Sequence, residues 1–148
     1  MVTLMAKPEP IDIDFDRTAV VVVDMQNAFA SKGGLLDLAG FDISGAANTI
    51  EANRRLLDAG RRAGVEVIYL MMTYKPDLSD GGGPTSPNYH KELALRMMRD
   101  RPELAGKLLI ENTWDWQTVD ALEASTRRSN HHQNAAQRFL PHRPRPVS

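Results

Sequence analysis

Four consecutive valines between Ala19 and Asp24 (TAVVVVD, residues 18–24) constrain this chain more than any other feature. β-branched side chains favour extended backbone, and a continuous apolar run, rather than an alternating one, suits a strand buried on both faces of a parallel sheet. A parallel partner needs a long crossover, and the sequence offers one. From Ser44 to Arg62 the spacing of Ile50, Leu56, Leu57 and the alanines fits a helix whose arginines face water, with Gly64 where a C-terminal cap belongs. Val65 to Leu70 (VEVIYL) then returns as a second strand. Strand, helix, strand is a βαβ unit, for which a right-handed crossover is expected.

Further along, Asp77 to Pro87 (DLSDGGGPTSP) is a loop by composition, and a helix is predicted through Leu93, Met97 and Met98. Lys107 to Ile110 is read as a third short strand. Trp114 to Leu122 is read as a helix or helical turn with Val119 and Leu122 on its apolar side. No internal repeat is present. Periodicity alone therefore gives an α/β class and no more.

The 148 residues amount to one domain. A net charge of −1 conceals an imbalance: residues 1–123 carry −6, and the remainder, whose only charged residues are five arginines, carries +5. The absence of cysteine excludes disulfides, thiolate metal sites and a cysteine nucleophile within this sequence. The longest strongly apolar run, Ala19 to Val23, falls far short of a membrane span, and the acidic, proline-containing start does not read as a secretory signal. A cytoplasmic location is the expectation.

After Glu123 neither a period of 2 nor one of 3.6 is visible, and only Phe139, Leu140 and Val147 are strongly apolar. His131 and His132 are adjacent but lack partners at metal-ligand spacing, which argues against a metal site. The arginines come without lysines or a stacking platform, a weak basis for a nucleic-acid arm. A disordered basic tail over 124–148, separate from a domain over 1–123, is the simpler reading.

Three stretches, TAVVVVDMQNAFASKGGLLDLAGFDIS (18–44), DGGGPTSPNYHKELAL (80–95) and GKLLIENTWDWQTVDAL (106–122), together resemble the isochorismatase-like cysteine hydrolases. Within that family they are most similar to the ureidoacrylate amidohydrolases of pyrimidine degradation. The resemblance covers residues 1 to about 123, and it implies a Rossmann-like three-layer α/β/α sandwich with a parallel sheet, here truncated. It also implies hydrolysis of a C–N bond, ureidoacrylate giving aminoacrylate and carbamate, by an Asp-Lys-Cys set. A thiolate attacks the ureido carbonyl, the acid shuttles its proton, and the ammonium favours thiolate and oxyanion. Asp24 matches the acid, and the carboxyl end of a parallel strand is where ligands bind in open α/β sheets. The plainer reading is that Asp24 caps the turn. Asn27 and Phe29 are candidates for the pocket mouth, Phe29 being as suited to packing. Gly82, Asn88 and His90 are candidates for a substrate loop, against the alternative of a surface connection. No cofactor is implied. A metal, as in the nicotinamidases, is not expected, because YLMMTYKPD has no histidine beside its acid. The implied partner is a small ureido substrate, with family members homo-oligomeric and neither nucleic acid nor membrane involved.

The tail has a second reading. In the family this segment holds an acidic turn, an apolar strand and the catalytic lysine. Shifting the frame forward by one base, with codons permitted by residues 127–146, yields DDRIIIKTRLSGFFPTDLD, with the lysine falling at Gln133. One family tyrosine cannot be produced, at the codon that begins with the middle base of Ala136. A single-base frameshift just after Glu123 is therefore expected, leaving a chain without the catalytic lysine and cysteine and inactive as it stands. The alternatives are a non-catalytic small-ligand or interaction module and, less in keeping with the sequence, a nucleic-acid-associated domain. Uncovered strand edges and helix faces, and with them poor solubility, are further expectations.

Overall fold

The computed structural model describes residues 1–123 and 130–134. A parallel sheet in the order β3-β4-β5 organises it, formed by β3 (Ala19–Val23), β4 (Glu66–Thr73) and β5 (Asn130–Asn134). β3 and β4 pair in register from Ala19↔Glu66 to Val23↔Leu70, and β4 and β5 from Tyr69↔Asn130 to Thr73↔Asn134. Ahead of the sheet, β1 (Val2–Leu4) and β2 (Ile11–Ile13) form a separate antiparallel ribbon.

The crossover between β3 and β4 contains α3 (Ala46–Arg62). Its buried side carries Leu57, with Ile50 partly buried, and these pack on Val20, Val22, Val67 and Tyr69 of the sheet. Its outer side is laced by the exposed Glu51–Arg54–Asp58 ion pairs, which solvent screening leaves weak. The helix ends as its sequence requires. Gly64 takes φ 73°, its amide donates to the Arg61 carbonyl, and the Val65 amide reaches back to Gly60, a Schellman closure.

A second core lies beyond the carboxyl end of β4. Ala28, Leu35, Tyr74, Ala94, Leu95, Met98, Leu104 and Leu108–Ile110 form it, drawn from α1 (Asn27–Ala30), α2 (Leu35–Leu38), α5 (Leu93–Asp100) and the segment after them. Between these elements runs α4 (Pro87–Lys91), capped by Ser86, whose hydroxyl accepts from the Asn88 amide.

The structure departs from the sequence reading in four places. β3 is covered on one face only: Val22 is buried, but Val21 and Val23 are about half exposed (50% and 51%), so a strand buried on both faces is not what the described residues build. Lys107–Ile110 is not a strand, because Leu109 turns to φ 55° and leaves a single parallel bridge between Tyr74 and Ile110. Trp114–Leu122, read as a helix or a helical turn, keeps one 3₁₀ turn at Asp120–Leu122 and is otherwise irregular turns, because the carbonyls of residues 114–117 and the Val119 amide are taken by residues 25–28. Finally, residues 130–134 form β5 inside the segment expected to be disordered. The rest of that segment, 124–129 and 135–148, lies outside the described residues.

Gly34 joins α1 to α2 so closely that a Cβ there would drive into the Asn27 carbonyl, whereas a Cβ at Gly83 would meet nothing within 4 Å. Gly34→Ala is expected to lower the thermal midpoint by several degrees and Gly83→Ala to leave it nearly unchanged, as read by circular dichroism melts.

Candidate active site

Asp24 is the residue at which β3 stops. Its amide still donates to Leu70 O (2.9 Å), continuing the ladder, while its φ is 54°, a left-handed conformation rare for a residue with a side chain. Non-glycine residues in that region persist where their surroundings hold them there, and such positions cluster at functional sites.

What holds it is Gln26, fully buried two residues on. Its side-chain amide acts as a length of strand. Nε2 donates to Met72 O (2.9 Å) and Trp116 O (2.7 Å), and Oε1 accepts from Met72 N (2.8 Å). The backbone on either side is stitched to the 115–119 segment: Val119 N to Met25 O, Asn27 N to Gln117 O and Ala28 N to Asp115 O. Asp24 therefore sits in a turn fixed on both sides, from β4 and from the turns beyond Thr113.

Asp115 is the other anchor. It is buried, and its carboxylate accepts from Leu35 N (3.0 Å) and Leu109 N (2.8 Å), tying α2 to the left-handed Leu109 turn. Burial raises its pKa, and the two amides act against that rise. Asp24 is half-buried, and burial raises its pKa too, opposed by the Met72 backbone amide. A carboxyl raised in this way is better suited to accept a proton near neutrality than an ordinary aspartate. Tyr74, buried, has its hydroxyl pushed up to about 12 by desolvation, which leaves it protonated at neutral pH.

The other residues singled out in the sequence are held as follows. Asn27 is buried and its amide is committed, Nδ2 to Trp114 O (2.9 Å) and Oδ1 to Ser31 Oγ (2.7 Å), so it fastens α1. Phe29 packs against the second core, its plainer reading. Gly82 has φ 75° and no room for a Cβ beside Ser86. Asn88 Nδ2 closes the loop onto Gly81 O (3.2 Å) and reaches Tyr74 Oη (3.4 Å). A ring nitrogen of His90 lies 2.7 Å from Pro84 O. These contacts shape the loop. Among the described residues no group of three His, Asp or Glu side chains is placed to hold a metal, and no helix is long and apolar enough to cross a membrane.

Gln26 and Asp115 escape a reading of the sequence, since a buried amide or carboxylate acting on distant backbone leaves no periodic trace.

A parallel sheet crossed by α3, with an acidic residue in a strained turn at a strand's carboxyl end, has known counterparts. The isochorismatase domain model matches residues 18–136, and the chain belongs to that family. It is 57% identical over 122 residues to the ureidoacrylate amidohydrolase RutB of Rhizobium rhizogenes, covering 82% of this chain and 50% of that protein. It is 56% identical over 121 residues to the RutB of Agrobacterium fabrum, covering 82% and 53%. A crystal structure of a cysteine hydrolase from Pseudomonas syringae pv. phaseolicola superposes with a TM-score of 0.55 at 29% identity, over 81% of this chain and 46% of that one. The chain thus spans about half the length of the relatives it matches. The family match runs past Glu123 and takes in β5.

Two outcomes follow from this geometry. Gln26→Leu strands the Met72 amide and the Met72 and Trp116 carbonyls without their partner, and is expected to cost about 3 kcal/mol in urea unfolding. For Asp24, a folded pKa above the unfolded 3.8 means that the folded state holds the proton more tightly, so stability falls as pH rises through that window. Asp24→Asn is therefore expected to be more stable than the parent at pH 7, with the gap narrowing below pH 4 when both side chains are neutral. Unfolding midpoints at the two pH values check it.

Proposed function

We propose that the chain is the N-terminal part of a hydrolase acting on a C–N bond of ureidoacrylate or a close analogue, with Asp24 as the acid–base group. The observation that carries this reading is Asp24 itself: a carboxyl with a raised pKa, in a left-handed turn at the end of β3, within a chain 57% identical to a ureidoacrylate amidohydrolase. In the complete reaction a thiolate adds to the ureido carbonyl and the amine leaves. The acid takes the thiol proton and returns it to the leaving nitrogen, and water then releases the acyl group. Of these groups the present sequence supplies the acid and no thiol.

The same reading includes a one-base slip of the coding frame just after Glu123. β5 gives it support. A strand in parallel pairing is normally apolar, yet residues 130–134 read Asn-His-His-Gln-Asn. The shifted frame writes isoleucine at 130, 131 and 132 and lysine at 133. Position 133 is in register with Met72, the residue that holds Gln26, two positions from Asp24. An apolar strand and a lysine thus fall where the sheet has a strand and where the acid is close in register.

The 148-residue chain, its mass confirmed, is expected to release no product from ureidoacrylate above the uncatalysed rate, the nucleophile's loss removing several powers of ten. Turnover by that chain alone would overturn the reading. Nucleotide sequencing from codon 115 onward is expected to show a longer open frame, one base out of phase, that encodes a lysine and a cysteine. An unbroken frame ending as Arg-Pro-Val-Ser would remove the slip while leaving the assignment of Asp24 intact.

A further inference from the structure

The Gln26 side chain stands in for two rungs of the β3–β4 ladder. The parallel pattern that joins Asp24 N to Leu70 O would, one step further, give the Met72 amide to the Asp24 carbonyl and the Gln26 backbone amide to Met72 O. Both Met72 groups go to the Gln26 side chain instead: Oε1 accepts from Met72 N (2.8 Å) and Nε2 donates to Met72 O (2.9 Å). The main chain is thereby released from β4, and Asp24 takes its φ of 54°.

One of the two rungs is contested. The Met72 N–H also acts on the Asp24 carboxyl, the only hydrogen-bond donor among the described residues to do so, and it lowers the pKa that burial raises. A carboxylate is a weaker base for each donor it accepts. Gln26 is fully buried, so its oxygen has no water to turn to if it gives the amide up. The ionisable groups on neighbouring elements are occupied elsewhere: Asp115 with Leu35 and Leu109, and Tyr69 Oη with Leu122 O and Arg61. β5 brings His131 and His132 into register with Leu70 and Met71. We propose that Gln26 is a positioning residue for the proton chemistry of Asp24: by holding the Met72 N–H on its own oxygen, it withholds that donor from the Asp24 carboxylate and leaves the carboxylate free to take a proton. The inference rests on the acid–base reading of Asp24 and adds what keeps that acid basic.

The test follows the Asp24 carboxyl and the Met72 amide by NMR through one pH titration of the labelled 148-residue chain and of its Gln26→Met form, which keeps the side chain's length and loses both polar atoms. In the unaltered chain the Met72 amide is expected to show a scalar coupling to the Gln26 side-chain carbonyl carbon on both sides of the Asp24 titration. In Gln26→Met the Asp24 carboxyl is expected to become about tenfold more acidic, and the Met72 amide proton to move downfield as Asp24 ionises. Asp115→Asn loosens the same end of the fold without freeing the Met72 amide, and is expected to leave that amide flat through the titration. An Asp24 midpoint unmoved by Gln26→Met overturns the proposal, as does a Met72 amide that responds equally in Asp115→Asn or that leaves Gln26 in the unaltered chain when Asp24 ionises. The acid–base reading survives each of these outcomes. A midpoint at or below 3.8 in the unaltered chain overturns both. If Gln26→Met fails to fold by circular dichroism, the coupling in the unaltered chain decides.

Discussion

One side-chain amide carries an unusual share of this structure. Gln26 leaves β3's register, turns inward and bonds as though it were backbone, both to Met72 and to Trp116. It thereby joins segments that lie 46 and 90 residues away from it in sequence. In a buried site such a network stabilises only if every partner is satisfied, and here both the amide nitrogen and the amide oxygen are used. The turn containing Asp24 is fixed as a result. Without the clamp, a strand of four valines would have no reason to stop in a left-handed aspartate.

Around that clamp the two cores have separate tasks. The sheet and α3 supply a platform of ordinary apolar packing, with Leu57 and Val22 at its centre. The core built around Tyr74 sits at the carboxyl end and positions loops, through Asp115 on one side and the Asn88 contacts on the other. Left-handed residues gather here: Asp24, Leu78, Leu109 and Asn112 are the non-glycine cases among the described residues, and all fall in turns that leave strands or bound this end. In open α/β sheets ligands bind at such an end, where helices and strands deliver side chains into a crevice without burying their own backbone groups unpaired.

How much of this is legible in the sequence follows from the range over which each signal acts. The βαβ unit is legible because periodicity is local: valines in a row, Ile50 and Leu57 at helical spacing, and a glycine at the cap. Asp24 is legible as the acid that ends an apolar strand. The stretch from Lys107 to Ile110 reads as a strand because three consecutive buried residues, Leu108, Leu109 and Ile110, look extended until Leu109 is seen in its left-handed turn. The Trp114–Leu122 turns depend on bonds to residues 25–28, and nothing close by in the chain announces them. β5 is invisible for a different reason. Its residues have no strand-like pattern, and its place is set by the edge of β4.

The proposed acid–base role depends on Asp24 being held in a strained, partly desolvated turn. Carbon-detected NMR of selectively labelled aspartate reads this directly, giving the carboxyl titration and the backbone shifts of the same residue. A titration midpoint above the ordinary aspartate value is expected, together with backbone shifts of a left-handed residue. A midpoint at or below 3.8 with extended-backbone shifts would contradict it.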